Sequence, residues 1–382
     1  MTTRSVYLEE HEQFRNSVRR FLETEAVPYH GQWEKDGQID RALWNKAGEH
    51  GFLAPTVPEE YGGVGVDFRY NAIVNEECWR LGLSGLGFTL HSDIAVPYIL
   101  NHGSAYLKDK YLPGCLSGEI VTAIAMTEPG TGSDLQGVKT LAVRDGDDYV
   151  INGSKTFITN GQQADLVILV CKTDASAGAL GISLLLVEAG TPGFEKGTNL
   201  EKIGMKAQDT SELFFQDVRV PKENLLGEEG NGFAYLMEEL PQERLNIAIG
   251  AMATCDSILE QTVAYVKERK AFGKAIASFQ NTQFKLAELD AKITAMRVFV
   301  DHCLALHIEG KLTTVMASKA KLLTTELQDQ VVDECLQLHG GYGYMWEYPI
   351  ARAYADSRVQ RIYGGTSEVM KLIIGRELLK AE

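Results

Sequence analysis

Beyond Gly232 the sequence carries helical apolar periodicity almost without interruption, and few folds can absorb so much long helix. The patterns cover residues 241–269, 280–309, 312–339 and 366–380. Short connections keep consecutive helices side by side, so a four-helix bundle is expected. The first third is also helical. Phe14, Val18, Phe21 and Leu22 recur at helical spacing, and Pro28 is expected to end that helix. A second helix is expected over 40–49, with Asp40 as its cap and Gly51 just past its end. Further helical patterns cover 67–80, 94–101 and 104–116.

The character changes near Glu119. An apolar run over 120–126 leads into the loop Thr127-Glu128-Pro129-Gly130-Thr131-Gly132-Ser133-Asp134. Turn pairs then recur at Asp145-Gly146, Asn152-Gly153 and Asn160-Gly161, amid strand-like runs over 149–151, 166–171, 182–187 and 213–215. Short strands between regular turns indicate an antiparallel β domain. A chain of 382 residues is also long for a single core. The expected class is therefore α+β multidomain. An N-terminal α-helical domain covers 1–119, a middle antiparallel β domain 120–230, and a C-terminal four-helix bundle 231–382.

A formal net charge of −15 argues against a nucleic-acid partner, which needs a basic face. The six cysteines, Cys78, Cys115, Cys171, Cys255, Cys303 and Cys335, lie far apart and match no metal-ligand spacing, which suits reduced structural thiols. Residues 1–13 lack the apolar core of a signal peptide, and no apolar run approaches the ~20 residues of a membrane span. The expectation is a soluble cytoplasmic protein without a metal centre.

Six stretches could carry chemistry. The hydroxyl-rich loop 127–134 offers free N–H groups and side-chain hydroxyls to a ligand, and a plain surface loop explains it equally well. In 155–161, Phe157 and Thr159 share a strand face that could pack against and hydrogen-bond a ring, though an ordinary half-buried strand has the same pattern. Glu268-Arg269-Lys270-Ala271-Phe272-Gly273-Lys274 reads as a basic helix end closed by Gly273, favourable with or without a phosphate. In 337–344 three glycines within four positions allow a ligand close to the backbone. Gly364-Gly365-Thr366 opens the last helix, with Thr366 as its cap and free N–H groups that suit carbonyl or phosphate oxygens. A sixth stretch, Leu240-Pro241-Gln242-Glu243-Arg244-Leu245, places Glu243 in the expected first turn of a helix beginning at Pro241. Proline and an acid are favoured there without any catalytic role.

Taken together and in this order, these stretches resemble the acyl-CoA dehydrogenase family over nearly the whole chain. Two segments carry the likeness most specifically. One runs from Ala125-Met126-Thr127-Glu128-Pro129 to Gly132-Ser133-Asp134; the other runs from Gln337 to Gly343 and on to Glu347, Arg352 and Asp356. The resemblance implies bound FAD, with its ring between the β domain and the bundle. Ile124, Ala125, Met126, Thr127, Gly132 and Ser133 match one flavin-contacting segment. Phe157, Ile158 and Thr159 match another, with Thr159 near the flavin N5 and Phe157 where many members have tryptophan. Arg269, Phe272 and Gln280 match the region that holds the pyrophosphate and its surroundings. Gln337, Leu338, Gly340 and Gly341 match a segment that reaches the FAD of an adjacent subunit in a homotetramer. Thr366, Ser367 and Glu368 complete the implied cofactor set, and Ser133, Pro241, Gln242, Arg244, Gly364 and Gly365 the implied substrate set.

The family reaction removes an α-proton and a β-hydride from an acyl-CoA, giving a trans-2-enoyl-CoA, and hands electrons to an electron-transfer flavoprotein. Many members carry the base as Tyr-Glu-Gly-Thr in the terminal motif. Here the motif is Tyr363-Gly364-Gly365-Thr366, so that carboxylate is missing. The long-chain and isovaleryl branches supply a glutamate from the helix expected to begin at Pro241, and Glu243 matches it. The surrounding wording looks most like the long-chain branch, which implies a medium-to-long acyl chain. The resemblance also implies that Gly364 keeps a backbone N–H for the thioester carbonyl. A branched short-chain dehydrogenase, an oxygen-reactive relative and a silent flavoprotein scaffold are the competing readings.

Overall fold

A computed structural model of the chain describes residues 4–380. The N-terminal helices are α1 (Glu9–Glu25), α2 (Val27–Asp36), α3 (Ala42–Glu49), α4 (Phe68–Arg80), α5 (Val96–His102) and α6 (Ala105–Ser117). A π-helical stretch, Leu90–Ala95, runs directly into α5. Pro28 does not end the helical region as expected. The chain breaks at Ala26, and Pro28 falls in the first turn of α2, where its missing N–H costs nothing. The expected cap of α3, Asp40, stands one residue before the cap position, Arg41, and accepts from the Ala42 N–H at 2.9 Å. Asp67 and Ser104 occupy the cap positions of α4 and α6 and accept from the Arg69 and Leu107 N–H groups.

The strands are β1 (Thr122–Ala125), β2 (Leu141–Asp145), β3 (Asp148–Thr159), β4 (Leu166–Lys172), β5 (Ile182–Glu188), β6 (Phe194–Asn199) and β7 (Thr210–Pro221). They form one seven-stranded sheet that is mainly antiparallel, with β1 parallel to β4. Asp145 pairs with Asp148 across a two-residue turn, as the sequence implied. Asn152-Gly153 is not a turn. It lies within β3, where the ladder with β7 shifts register. Strands β4 and β5 read as continuous apolar runs because both sheet faces are covered. Leu166, Ile168 and Val170 pack toward α5 and α6, while Val167, Leu169 and Cys171 pack on the other face.

Helices α7 (Gly232–Glu268), α8 (Gln280–Ile308) and α9 (Thr314–His339) pack on one another, with α10 (Pro349–Ser357) and α11 (Ser367–Leu378) against α9. A short hairpin, β8 (Lys270–Ala271) and β9 (Lys274–Ala275), joins α7 to α8. One apolar core runs from α1, α3 and α4 into α7, α8 and α9, fixing the N-terminal helices to the bundle.

Two expectations about α7 are corrected. It begins at Gly232, nine residues before Pro241, so Pro241 lies inside the helix and Glu243 is not in its first turn. Leu236 and Leu240 bury one and two turns after Gly232, and that burial outweighs the lost proline hydrogen bond. The dipole account of Glu243 therefore lapses. The helix also stops at Glu268 with Arg269 as its C-cap, so Lys270 and Lys274 belong to the hairpin rather than to a helix end closed by Gly273. Phe272 and Gly273 both have positive φ (51° and 76°), as a type I′ turn requires.

Candidate active site

The geometry centres on α7, where Arg244 and Ile247, one residue and one helical turn beyond Glu243, meet the turn before α11. Gly364 and Gly365 have φ of +63° and +93°, a conformation comfortable only for glycine. A Cβ built on Gly364 would stand 2.5 Å from Ile247 Cδ1, and one on Gly365 would stand 3.9 Å from Arg244 Nη2. Ile247 is one helical turn beyond Glu243, on the same side of α7. Through Ile247 and Arg244, the stretch of α7 that carries Glu243 faces Gly364, 121 positions later in the sequence.

Glu243 is 5% exposed. Burial pushes its carboxyl up to about 7; the Tyr98 hydrogen bond opposes this, the nearby Glu239 adds to it, and Arg244 opposes it. The Tyr98 hydroxyl donates to Glu243 Oε1 at 2.9 Å. Glu239 Oε1 accepts from Asn101 Nδ2 at 2.8 Å and from His102 Nε2 at 3.1 Å. Gln242 does not stand free toward a substrate. Its amide donates to the Asp93 carbonyl at 2.7 Å and accepts from His307 Nε2 at 3.0 Å, tying α7 to its neighbours.

Two buried cations hold the glycine turn. Arg244 reaches the Gly364 carbonyl from Nε at 3.5 Å, and Lys321 Nζ donates to the Gly365 carbonyl at 2.6 Å. Burial, then the neighbouring Arg244 and Arg361, push Lys321 down to about 8. The Thr366 hydroxyl caps α11 by accepting from the Val369 N–H, as expected. Ser367 is buried and Glu368 is exposed.

A second group of the implied residues lies on the sheet. The buried Lys155 Nζ donates to Glu128 Oε1 and to the Met126 carbonyl, both at 2.9 Å. Glu128 also accepts the Lys139 and Thr140 N–H groups at 2.7 and 2.9 Å. This pair fixes the loop 127–134 and leaves Gly132 and Ser133 exposed. At the adjacent register shift in β3, Ile158 is buried in the sheet core. Phe157 is turned outward, 67% exposed with φ of +61°, and Thr159 is half-buried. An exposed aromatic on a left-handed backbone beside an open glycine loop is what a planar ligand would cover.

The remaining residues of the implied cofactor set lie elsewhere. Arg269, Gln337, Leu338, Gly340 and Gly341 line one open cleft of about 700 Å³, together with Tyr265 and Tyr342. A Cβ on Gly340 or Gly341 would meet nothing within 4 Å, so the cleft floor is bare backbone. The Arg269 guanidinium lies over the Tyr342 ring. Phe272, 96% exposed, projects from the hairpin tip, and Gln280 is exposed at the start of α8. Arg269 follows α7 and Glu243 lies 25 residues before its end, roughly 40 Å along the helix axis. The two sets therefore belong to two separate places on one chain.

Sequence reasoning missed Tyr98, Glu239, Lys321, Ile247 and the Lys155–Glu128 pair. Tyr98 follows Pro97 and precedes Ile99, where it reads as a core aromatic. Lys321 is two residues from Lys319 on the same helix, and nothing in the sequence sets it apart.

Three family models match the chain in order: the N-terminal domain of acyl-CoA dehydrogenases over residues 8–119, the middle domain over 123–218 and the C-terminal domain over 230–379. The chain is 53% identical over 378 residues to the mitochondrial long-chain specific acyl-CoA dehydrogenase of Rattus norvegicus, covering 98% of this chain and 88% of that protein. It is 39% identical over 374 residues to the mitochondrial isovaleryl-CoA dehydrogenase of Oryza sativa subsp. japonica, covering 97% and 91%. The crystal structure of an acyl-CoA dehydrogenase from Geobacillus kaustophilus superposes with a TM-score of 0.97 at 53% identity, covering 99% of this chain and all of that one.

Proposed function

We propose, for a chain that belongs to the acyl-CoA dehydrogenase family, that Glu243 is the base that takes the substrate α-proton. The chain is an FAD-dependent acyl-CoA dehydrogenase. One observation carries the assignment of the base. The turn that holds a carboxylate in many relatives has none here, and its Gly364 faces the stretch of α7 that carries a buried glutamate. A general base works best with a pKa near the operating pH, and burial brings Glu243 to that range.

The residues fit FAD. Phe157 offers an uncovered ring face, Thr159 a hydroxyl beside it, and loop 127–134 a bare glycine rim that the Lys155–Glu128 pair holds in place. When bound there, FAD supplies the two-electron acceptor for the β-hydride. Glu243 takes the α-proton, and the Gly364 N–H, held by the Arg244 and Lys321 contacts to the turn, hydrogen-bonds the thioester carbonyl as it becomes enolate-like. Pro241, Ser133, Arg244 and Gly365 border the acyl-CoA in this reading. Gln242 acts at one remove, by anchoring α7.

The Arg269 and Gln337–Gly341 cleft stands too far from Glu243 to serve the same FAD. We read it, with Phe272 and Gln280, as completing the site of an adjacent copy in a homotetramer. Electron-transfer flavoprotein is the proposed electron acceptor. The acyl chain is proposed to be medium to long, supported by 53% identity to a long-chain relative against 39% to an isovaleryl one. Six free buried thiols suit a reducing compartment, which we take to be the cytoplasm; no helix among the described residues is long and apolar enough to cross a membrane.

Anaerobic bleaching of the flavin across a ladder of straight and branched acyl-CoAs tests the substrate reading. Fastest reduction by straight chains of medium to long length is expected; a clear preference for isovaleryl-CoA would replace it. Reoxidation by electron-transfer flavoprotein rather than by oxygen completes the expected pattern.

A further inference from the structure

Helices α5 and α7 meet at the base through complementary faces. Tyr98, Asn101 and His102 lie at i, i+3 and i+4 on α5, and Glu239 and Glu243 lie at i and i+4 on α7. Asn101 and His102 serve Glu239, while Tyr98 serves Glu243 alone. The Tyr98 ring is fully buried and its hydroxyl proton has one recipient, Glu243 Oε1 at 2.9 Å. Among the described residues no other group donates to that carboxylate, so Oε2 takes no hydrogen bond from the protein.

We propose that Tyr98 is a positioning residue for proton abstraction: its hydroxyl fixes Glu243 Oε1 and leaves Oε2 as the oxygen that receives the α-proton. The inference rests on Glu243 being the base. A carboxylate at the end of two methylenes rotates freely unless one oxygen is held, and productive geometry tolerates little error. The same bond has an electrostatic effect. A donor to the charged form favours ionisation, here against burial and the repulsion of Glu239. Arg244, next to Glu243 on α7, acts in the same direction as Tyr98. Lys321 from α9 is directed to the Gly365 carbonyl, and His102 from α5 to Glu239.

The experiment is the pH profile of kcat/KM for the FAD-loaded Tyr98→Phe enzyme. Losing a hydrogen bond to a charged group moves the acid limb up by about one to two pH units, and the freed carboxylate leaves a lower plateau at high pH than wild type. FAD content and KM stay close to wild type. Should Tyr98→Phe fail to fold, 3-fluorotyrosine placed at position 98 alone keeps the shape, donates more strongly, and moves the limb down. An unmoved limb in a folded, FAD-loaded enzyme, or a high-pH plateau equal to wild type, overturns the proposal. Glu243→Gln separates the two levels. If it retains turnover, the base assignment fails and the role of Tyr98 fails with it. If it is inactive while the Tyr98→Phe limb stays in place, only the role of Tyr98 is wrong.

Discussion

Returning the carboxylate to the terminal turn in a Glu243→Gln background tests whether the two positions address one proton. The structure sets the cost. Gly364 has φ of +63°, where an L-residue is penalised by roughly 1–2 kcal/mol. Its Cβ would also stand 2.5 Å from Ile247 Cδ1, far inside ordinary contact, so that atom must move. Gly364→Glu alone is therefore expected to lower the apparent melting temperature and to restore little activity. Ile247→Val removes the obstructing atom at a cost of about 0.5–1.5 kcal/mol. The triple variant Glu243→Gln/Gly364→Glu/Ile247→Val should then melt higher than the Glu243→Gln/Gly364→Glu double variant and bleach its flavin measurably with acyl-CoA. The assays are thermal melts at fixed protein and FAD concentration and anaerobic stopped-flow absorbance. Equal melting and equal activity of the double and triple variants would show that Ile247 is not the obstacle. A triple variant that folds, keeps FAD, binds acyl-CoA and never bleaches would refute the idea that position 364 faces the substrate α-carbon.

Three further outcomes follow from the geometry. With its carboxyl raised to about 7, Glu243 is ionised only above that range, so kcat/KM at pH 6 should be about a tenth of its plateau and rise as pH increases; an ordinary carboxylate would give a flat profile from pH 6 to 8. Lys155→Met leaves the buried Glu128 without its cation, which should cost about 3–5 kcal/mol and lower both the melting temperature and the FAD content; an unchanged melt would remove that pair from its structural role. Arg269→Ala should weaken FAD retention while leaving Glu243 chemistry intact in enzyme resupplied with FAD. Mixing Arg269→Ala subunits with Glu243→Gln subunits should yield some sites lacking both defects if the cleft serves a neighbour's FAD.

How much of this was legible in the sequence varied with the range of the interaction. Helices with a strong local pattern are placed well by the sequence, as over 67–80 and 104–116, where the structure also finds caps at Asp67 and Ser104. Pro241 misled because its local signal marks a helix start, while Leu236 and Leu240 bury on neighbouring elements and carry the helix through it. Gly273 was a true turn signal of the wrong type; the adjacent Phe272 in a left-handed conformation turns it into a hairpin. At the site, Glu243 and Gly364 could be linked through a missing carboxylate, a pattern readable from motifs. Tyr98 lies 145 residues from Glu243, and only packing of α5 on α7 joins them. Lys155 and Glu128 were read as separate strand and loop residues, since a contact across 27 residues leaves no periodic trace.

The most direct measurement is single-turnover flavin reduction by acyl-CoA in Glu243→Gln under anaerobic conditions, beside wild type. The account predicts a variant that holds FAD, binds acyl-CoA and leaves the flavin oxidised, with the reduction rate down by at least about 10³-fold. Substantial reduction by that variant would contradict the assignment of Glu243 as the base.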